Sequence, residues 1–510
     1  MRQHFQQQAT LGITPISEVK FPLRSRDELP PVLMALQHIF VTPVLNEKVF
    51  SLLEKKVVNN KKKTGRKGMH LWHILVLAVI RHTLDTNWDR LEDMANYHKL
   101  LRQILGIHVE KFGIEETEFS YQTIVDNVSL IDEDLLLQIN TLVVEHGHNL
   151  LKKKEEKISL QLKTDSYALE TNVHFPTDLN LLYDSLRKGL DMVKKLKEIS
   201  DIKGYRKIKR ICSATKSLFR QASQQVFASN GKNEKQKRQA VKDYLQQARM
   251  LQQRFDELTK VLPVGINTQL ILAHVTALKK YNDFAKKFTG QIERRLLNGE
   301  TIAASEKTYS IFEEHTEWIT KGKLNKKVEL GHLLLITTDQ YQLIVDYKIM
   351  EGEKDAAQIE PLKQRIQQNY TDKKILSHSF DKGFYSKDNL NCLQQDYTDQ
   401  VILPKRGRFS KEDKERESAK TFKQLRKAHS AIESNINMLE HHGLNRCVDK
   451  GLKGYKRNVG LSVLAYNLHV IGNHLIQQQK QKEAKRIEDK KRYQNKKAEY
   501  FLKRFRTGTT

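Results

Sequence analysis

Two acidic residues are set where strand patterns stop, and a third sits in the helix after the last strand. Asp165 closes a run in which Ile158, Leu160 and Leu162 alternate with Ser159, Gln161 and Lys163, the period of a strand. Asp381 follows a second short strand pattern at 374–379. Glu433 lies in a helical pattern at 428–439, beyond a last strand at 401–403 that Pro404 stops. The acids are separated by 216 and 52 residues. Carboxylates gathered from separate elements suit phosphodiester chemistry, in which two Mg²⁺ ions about 3.5–4 Å apart activate the attacking oxygen and stabilise the leaving one. Mg²⁺ takes hard oxygen ligands and keeps several waters, so two or three carboxylates suffice. The same residue types also cap turns or face solvent, and position alone leaves both readings open.

The rest of the composition narrows the setting. With 88 Lys and Arg against 61 Asp and Glu, the 510-residue chain carries a formal charge of +27. Such an excess suits a polyanionic partner, nucleic acid first, although it also serves solubility. The length suits two or three domains, and 39% hydrophobic residues suffice to build cores. No run approaches the roughly 18 apolar residues of a membrane span. The opening MRQHFQQQATLG has no charged-then-apolar signal pattern, and Cys212, Cys392 and Cys447 have no metal or disulfide spacing. A cytoplasmic, nucleoid-associated protein is expected. No Gly-rich phosphate loop ending in Lys-Ser/Thr occurs, so no ATP use is expected.

The elements that must position the acids follow from texture. Residues 1–63 read as an arm and linker, with the basic stretch NNKKKTGRK at 59–67. Residues 64–150 read as an all-α, helix-turn-helix-like DNA-binding domain. It holds a buried helix at Leu71–Thr83, cap candidates Asp85, Thr86 and Asn87, and one further helix from 120 to 148 closing at Gly147. Strand patterns at 158–163, 308–312, 333–337, 343–347, 374–379 and 401–403 assign 157–180 and 300–478 to an α/β domain with a mixed five-stranded sheet. Between them, 181–299 is a helical insertion read as a two-helix hairpin. Residues 181–300 hold 26 Lys and Arg against 11 Asp and Glu, which favours a surface that tracks phosphates. The tail 479–510 is basic and has little to bury.

The words around the acids carry a resemblance. TDSYALETNVHFPTD at 164–178 resembles the first-aspartate motif of bacterial insertion-sequence transposases of the acidic-triad (DDE) class, most like the ISNCY group. In order, YSIFEEHTEWITKGKLNKKVELGH (309–332), SFDKGFYSKDNL (379–390), VILPKRGR (401–408) and AIESNINMLEHHGLNRC (431–447) resemble that family's strand pair, second-aspartate motif, basic turn and glutamate helix. The segment 64–106 resembles its DNA-binding region. The resemblance spans about residues 60 to 478.

It implies an RNase H-like core in which Asp165, Asp381 and Glu433 are catalytic and hold two Mg²⁺, with Mn²⁺ tolerated. It also implies a transposase that binds double-stranded DNA at terminal inverted repeats, cleaves there and transfers strands to target DNA, as a homodimer or larger assembly. Asp178 and Asp184 are candidates to support the metal ligands from behind. DNA-contact candidates are Lys61, Lys62, Lys63 and Arg66; Lys194, Lys195, Lys207 and Arg210; Lys321 and Lys323; Lys405, Arg406 and Arg408; and Arg446. One departure stands out: Glu440 occupies a position where related helices commonly carry Lys or Arg. His441 and His442 read as a polar helix end before Gly443, His315 and Glu329 as structural or DNA-facing, and Trp72 and Trp88 as core aromatics. Two rivals remain: a decayed transposase that only binds DNA, and an RNase H-like nuclease without strand transfer.

Overall fold

The computed structural model describes residues 11–57, 68–109, 118–152, 159–200, 202, 204–227, 233–261, 268–320, 328–395 and 397–506. Its main elements are α1 (Leu29–Val41), α2 (Pro43–Val57), α3 (Leu71–Thr83), α4 (Trp88–Tyr97), α5 (Lys99–Leu105), α6 (Tyr121–Val128), α7 (Glu133–Leu151) and β1 (Ser159–Thr171). Then come α8 (Asp178–Ile199), α9 (Ile208–Phe227), α10 (Glu234–Val261), α11 (Thr268–Ile292), β2 (Glu317–Ile319), β3 (Glu329–Thr338) and β4 (Ile344–Met350). The chain closes with α12 (Ile359–Asn369), β5 (Lys374–Phe380), α13 (Lys387–Gln394), β6 (Gln400–Ile402), α14 (Lys411–Ser418), α15 (Lys420–His429), α16 (Ala431–Leu439), β7 (Arg446–Cys447) and α17 (Gly451–Arg506). Two compact units emerge, residues 1–170 with 332–510, and residues 171–331.

The first unit is built on a mixed sheet. β3 and β4 are antiparallel, while β1, β5 and β6 run parallel to one another, with β1 between β3 and β5 and β7 also pairing with β1. The first residues of β3 pair with β2, in the second unit, so seven strands are joined where five were expected. β3 is buried along nearly its whole length, as a central strand covered on both faces should be. The exposed backbone of β4 is closed by amides from two helices. Asn467 of α17 accepts from Ile344 N at 2.8 Å, and both Asn467 and Asn140 of α7 donate to Ile344 O. Covering the edge in this way removes a template for stray pairing.

β1 is longer than its sequence pattern implied, and Asp165 lies within it rather than at its end. Leu160, Leu162 and Thr164 are buried on one face; Tyr167, Leu169 and Thr171 are buried on the other. The covered side therefore changes at Asp165 and Ser166. That switch ends the alternation, which is why the sequence reads as if the strand stopped there.

Other expectations need correction. Residues 308–312 are not a strand; the short strand follows at β2. The expected helix from 120 to 148 is two, because Asp132 accepts from Leu135 N and caps a second start. Gly147 does not close that helix: it lies inside α7, where a Cβ would stand 2.9 Å from Leu343 Cδ1. Nor is the stretch before residue 64 only an arm and linker: it holds α1 and α2, with Val32, Leu33, Leu36, Val49 and Leu53 buried in the core. Other N-terminal signals hold. α3 spans the expected residues, Asn87 caps α4 by accepting from Arg90 N, and Trp72 is fully buried with Nε1 donating to Ile104 O at 2.7 Å. Trp88 packs against the same core, under the Arg81 guanidinium at 3.9 Å.

α17 carries the apolar residues 459–475 into that core and continues as an exposed helix through the basic tail. Among the described residues it is the single helix long and apolar enough to cross a membrane, and 72% of its apolar window is buried inside the protein.

The second unit is four helices, α8 to α11, rather than the expected two-helix hairpin. Leu182, Leu186, Leu190, Val193 and Leu196 of α8 meet Val241, Leu245, Ala248, Leu251 and Phe255 of α10, with Phe288 of α11 in the same core. Gly189 gives Phe255 its space: a Cβ there would stand 2.7 Å from the ring. The turn between α8 and α9 contains Gly204 at φ 88°, a left-handed conformation that breaks the helical run.

Gly472 of α17 lies directly against the backbone of α1. A Cβ at this position would lie 1.9 Å from Pro31 O of α1, a backbone atom that cannot swing aside. Gly472→Ala is therefore expected to destabilise the chain by about 3 kcal/mol or more in urea unfolding, at or beyond the upper range for overpacking. Gly290→Ala, in open space within α11, should be neutral or stabilising by up to about 1 kcal/mol. Equal effects from the two would contradict the packing.

Candidate functional site

The parallel pairing of β1 with β5 determines how the first two acids meet. Lys163 pairs with Ser379 and Thr164 with Phe380; Asp165 and Asp381 are the next residue on each chain. Asp381 keeps an extended backbone at φ −77° and ψ 166°, so the strand geometry continues through it. Neighbouring strands stand about 4.8 Å apart, and paired residues project to the same face. The two carboxylates are thus side by side. Asp165 is half-buried, and its Oδ1 accepts from Ser166 N at 2.7 Å; Asp381 is exposed.

Glu433 reaches the same face from α16. Three contacts fix how this segment lies along β1. His429, at the end of α15, has Nδ1 2.9 Å from Ser379 Oγ. Two turns after Glu433, Glu440 is close enough to Tyr167 to raise its phenol further, although burial is the larger cause. Beyond them, Arg446 donates to Glu170 at 3.1 Å. The segment therefore runs in the same direction as β1, with residue 429 beside 379 (the partner of Lys163), 440 beside 167 and 446 beside 170. Ile432 and Leu439 are buried with Tyr167 and Leu169, which holds this face of α16 against the strand. Glu433, exposed and one residue from Ile432, falls between the first two anchors, on the stretch of β1 that holds Asp165.

Residues that the sequence did not single out complete the surroundings. Ser166 Oγ donates to Asp355 Oδ1 at 2.7 Å, and a Cβ on Gly383 would stand 3.0 Å from Asp355 Oδ2. Asp355 thus adds a further carboxylate at the end of β1 and β5 that carries Asp165 and Asp381. In sequence it is one acid among several in MEGEKDAAQ, with no signal to separate it. His429 is neutral near pH 7: burial pushes it down to about 4, Lys163 adds to this and Asp381 opposes it. Its Nε2 is buried without a hydrogen-bond partner. Burial also lowers the Lys163 ammonium, against the pull of Asp339.

The other expected residues are placed as follows. Asp178 and Asp184 belong to the second unit. Asp178 accepts from Arg295 Nε at 2.6 Å; Asp184 accepts from Arg187 at 2.9 Å and lies 3.3 Å from His174. Lys195, Lys207 and Arg210 are exposed on that unit, while Lys194 is partly engaged by Asp191. Arg406 and Arg408 are exposed, but Lys405 is committed to Asp413, the residue that with Ser410 forms the capping box of α14. Lys61, Lys62, Lys63, Arg66, Lys321 and Lys323 lie outside the described residues. His442 is not part of a polar helix end: it is fully buried, 3.2 Å from His469 Nδ1, and Gly443 at φ 86° turns the chain behind it. His315 is 3.1 Å from Glu313 in the second unit.

Comparison with family models, curated proteins and solved structures finds no match to this chain. The chemistry of the site therefore rests on its own geometry. Among the described residues no group of three or more His, Cys, Asp or Glu side chains is close enough together to hold a metal ion. Adjacent Asp165 and Asp381 nevertheless fit Mg²⁺, which binds through one or two carboxylates and leaves its other positions to water and substrate phosphate. Mg²⁺ binding only to the folded protein should raise its melting temperature, by the equivalent of about 1.4 kcal/mol at ten times its Kd. Asp165→Asn and Asp381→Asn should each abolish that increment in differential scanning fluorimetry. An undiminished increment in both variants would place the ion elsewhere.

Proposed function

We propose that this protein is a DNA transposase of the acidic-triad class, with the β1–β3–β4–β5–β6 sheet as an RNase H-like core. The observation that carries the reading is the lateral pairing that places Asp165 beside Asp381, with α16 bringing Glu433 along the same face. Three hard carboxylates from three elements, open to solvent and set in a chain of charge +27, suit a phosphodiester substrate better than a small buried ligand. The resemblance of five ordered sequence blocks to insertion-sequence transposases supports the same conclusion.

On this reading, bound Mg²⁺ (or Mn²⁺) supplies the Lewis acid that polarises the scissile phosphate and lowers the pKa of a bound water. Asp165, Asp381 and Glu433 are the residues that would hold the ion. His429, neutral and hydrogen-bonded to Ser379, fixes the end of α15 next to the strand that presents Asp381. Asp355 holds Ser166 and so steadies the backbone that presents Asp165. Exposed Arg406 and Arg408, with the cations of the helical unit, bind the phosphates of double-stranded DNA and position it without reading sequence. Water attacks to cut at an element end, and the freed 3′-hydroxyl then attacks a target phosphodiester at the same site. Joining two ends calls for at least two copies of the chain on the DNA.

The test is a cleavage and strand-transfer assay on DNA carrying the ends of the source element, with Mg²⁺. The wild-type chain should nick and join. Asp165→Asn, Asp381→Asn and Glu433→Gln should each lose both steps while keeping DNA affinity within a few-fold. A wild-type chain that binds without cutting would be a decayed copy; one that cuts without joining would be a nuclease. Full cleavage by any of the three variants would remove that residue from the site.

A further inference from the structure

Four aromatic side chains gather at one opening of the 171–331 unit. Phe175 is 59% exposed, Phe227 56% and Trp318 37%, while Tyr309 is half-buried. Trp318 is held on two sides: its ring centroid lies 5.6 Å from that of Phe175, edge-on, and 5.5 Å from that of Tyr309. Its backbone is fixed in β2, paired with Leu330 of β3. The rings line a cavity of about 260 Å³ that Lys307 and the Arg295–Asp178 ion pair also face. Exposed rings scattered singly over a surface need no explanation, but a contiguous cluster around a cavity marks a binding site.

The chemistry of the walls selects the occupant. Aromatic faces attract either another π-system or a cation. A cationic ligand is disfavoured: Arg295 is neutralised by its pairing with Asp178, but Lys307 remains at the wall, and residues 181–300 of the same unit carry 26 Lys and Arg against 11 Asp and Glu. A flat π-system attached to an anionic chain satisfies both features at once. We propose that this cavity receives one unstacked nucleobase of DNA, stacked on Trp318, with the flanking phosphates on the basic helical surface. The proposal rests on the DNA reading above and adds to it a place where the duplex is opened at a single base. It gives the helical unit a role beyond phosphate tracking, carried by aromatics that neither the charge count nor the acidic triad explains.

The test compares three probes by fluorescence anisotropy with the full chain: a blunt duplex, the same duplex with a short single-stranded overhang, and that overhang made abasic. Base–aromatic stacking gives an expected preference of roughly tenfold for the base-bearing over the abasic overhang. Trp318→Ala should abolish that preference, and Trp318→Phe should keep most of it. Phe175→Ala, which removes an exposed ring, should weaken the preference without disturbing the fold and remains informative if Trp318→Ala is unstable. A 2-aminopurine in the overhang should be quenched by wild-type protein and not by Trp318→Ala. Equal affinity for abasic and base-bearing overhangs, or equal loss for blunt and overhang DNA in the variants, overturns the proposal. Base preference without cleavage would sink the transposase reading and leave this site standing; cleavage without base preference would do the reverse. A chain that binds none of the probes overturns both.

Discussion

The register between β1 and β5 is the constraint on which the site depends. A slip of one residue would turn Asp165 to the opposite face and part it from Asp381, because side chains alternate along a strand. Buried polar contacts on the other face guard against that slip. Thr164 Oγ1 lies 2.7 Å from both Thr337 Oγ1 and His378 Nε2, and His378 Nδ1 lies 2.8 Å from Tyr397 OH. Burial holds His378 well below the ordinary histidine range, so a neutral ring with one donor and one acceptor completes the chain. At the start of β1, the Gln340 side chain accepts from Gln161 N and donates to Ser159 O. The strand is pinned at its beginning and at the residue just before Asp165.

The helices behind the sheet reinforce this arrangement. His148 of α7 is fully buried with Nε2 2.6 Å from Asp339 Oδ2, and Lys373, next to the start of β5, lies 3.0 Å from its Nδ1. Asp339 in turn accepts from the backbone of Tyr341 and Leu343, shaping the β3–β4 turn. One network therefore ties an N-terminal helix, the central hairpin and the start of β5 together. Such a fully buried network is costly to break because each removed partner strands another polar group. The N-terminal helices, expected to form a separate domain, share a single apolar core with the sheet and α17.

Much of this was legible in sequence because local pattern and burial agree. Leu71–Thr83 is largely apolar and is buried on every side; the strand patterns at 333–337 and 374–379 fall inside β3 and β5, and that at 343–347 starts one residue before β4. The three acids were legible as a group only through their flanking words, since 61 acidic residues offer many such triples. What was missed depends on partners distant in sequence. The continuation of β1 past Asp165 follows from Ile432 and Leu439 covering Tyr167 and Leu169, a contact no local period encodes. Asp355 and His429 gain meaning only through Ser166 and Ser379, far away along the chain. The cluster of Phe175, Phe227, Tyr309 and Trp318 joins residues up to 143 positions apart, three of them outside the basic stretch 181–300, so no local pattern groups them.

On the proposed reading Asp165, Asp381 and Glu433 surround a single metal site. Replacing Mg²⁺ with Fe²⁺ and adding ascorbate with peroxide generates hydroxyl radicals at the bound metal, which cut the nearby backbone. Mass spectrometry of the fragments should find cuts clustered around residues 165, 381 and 433, with weaker cutting near 355, all suppressed by excess Mg²⁺. Cuts near only one of the three acids, or clustered at His441–His442 instead, would contradict the account.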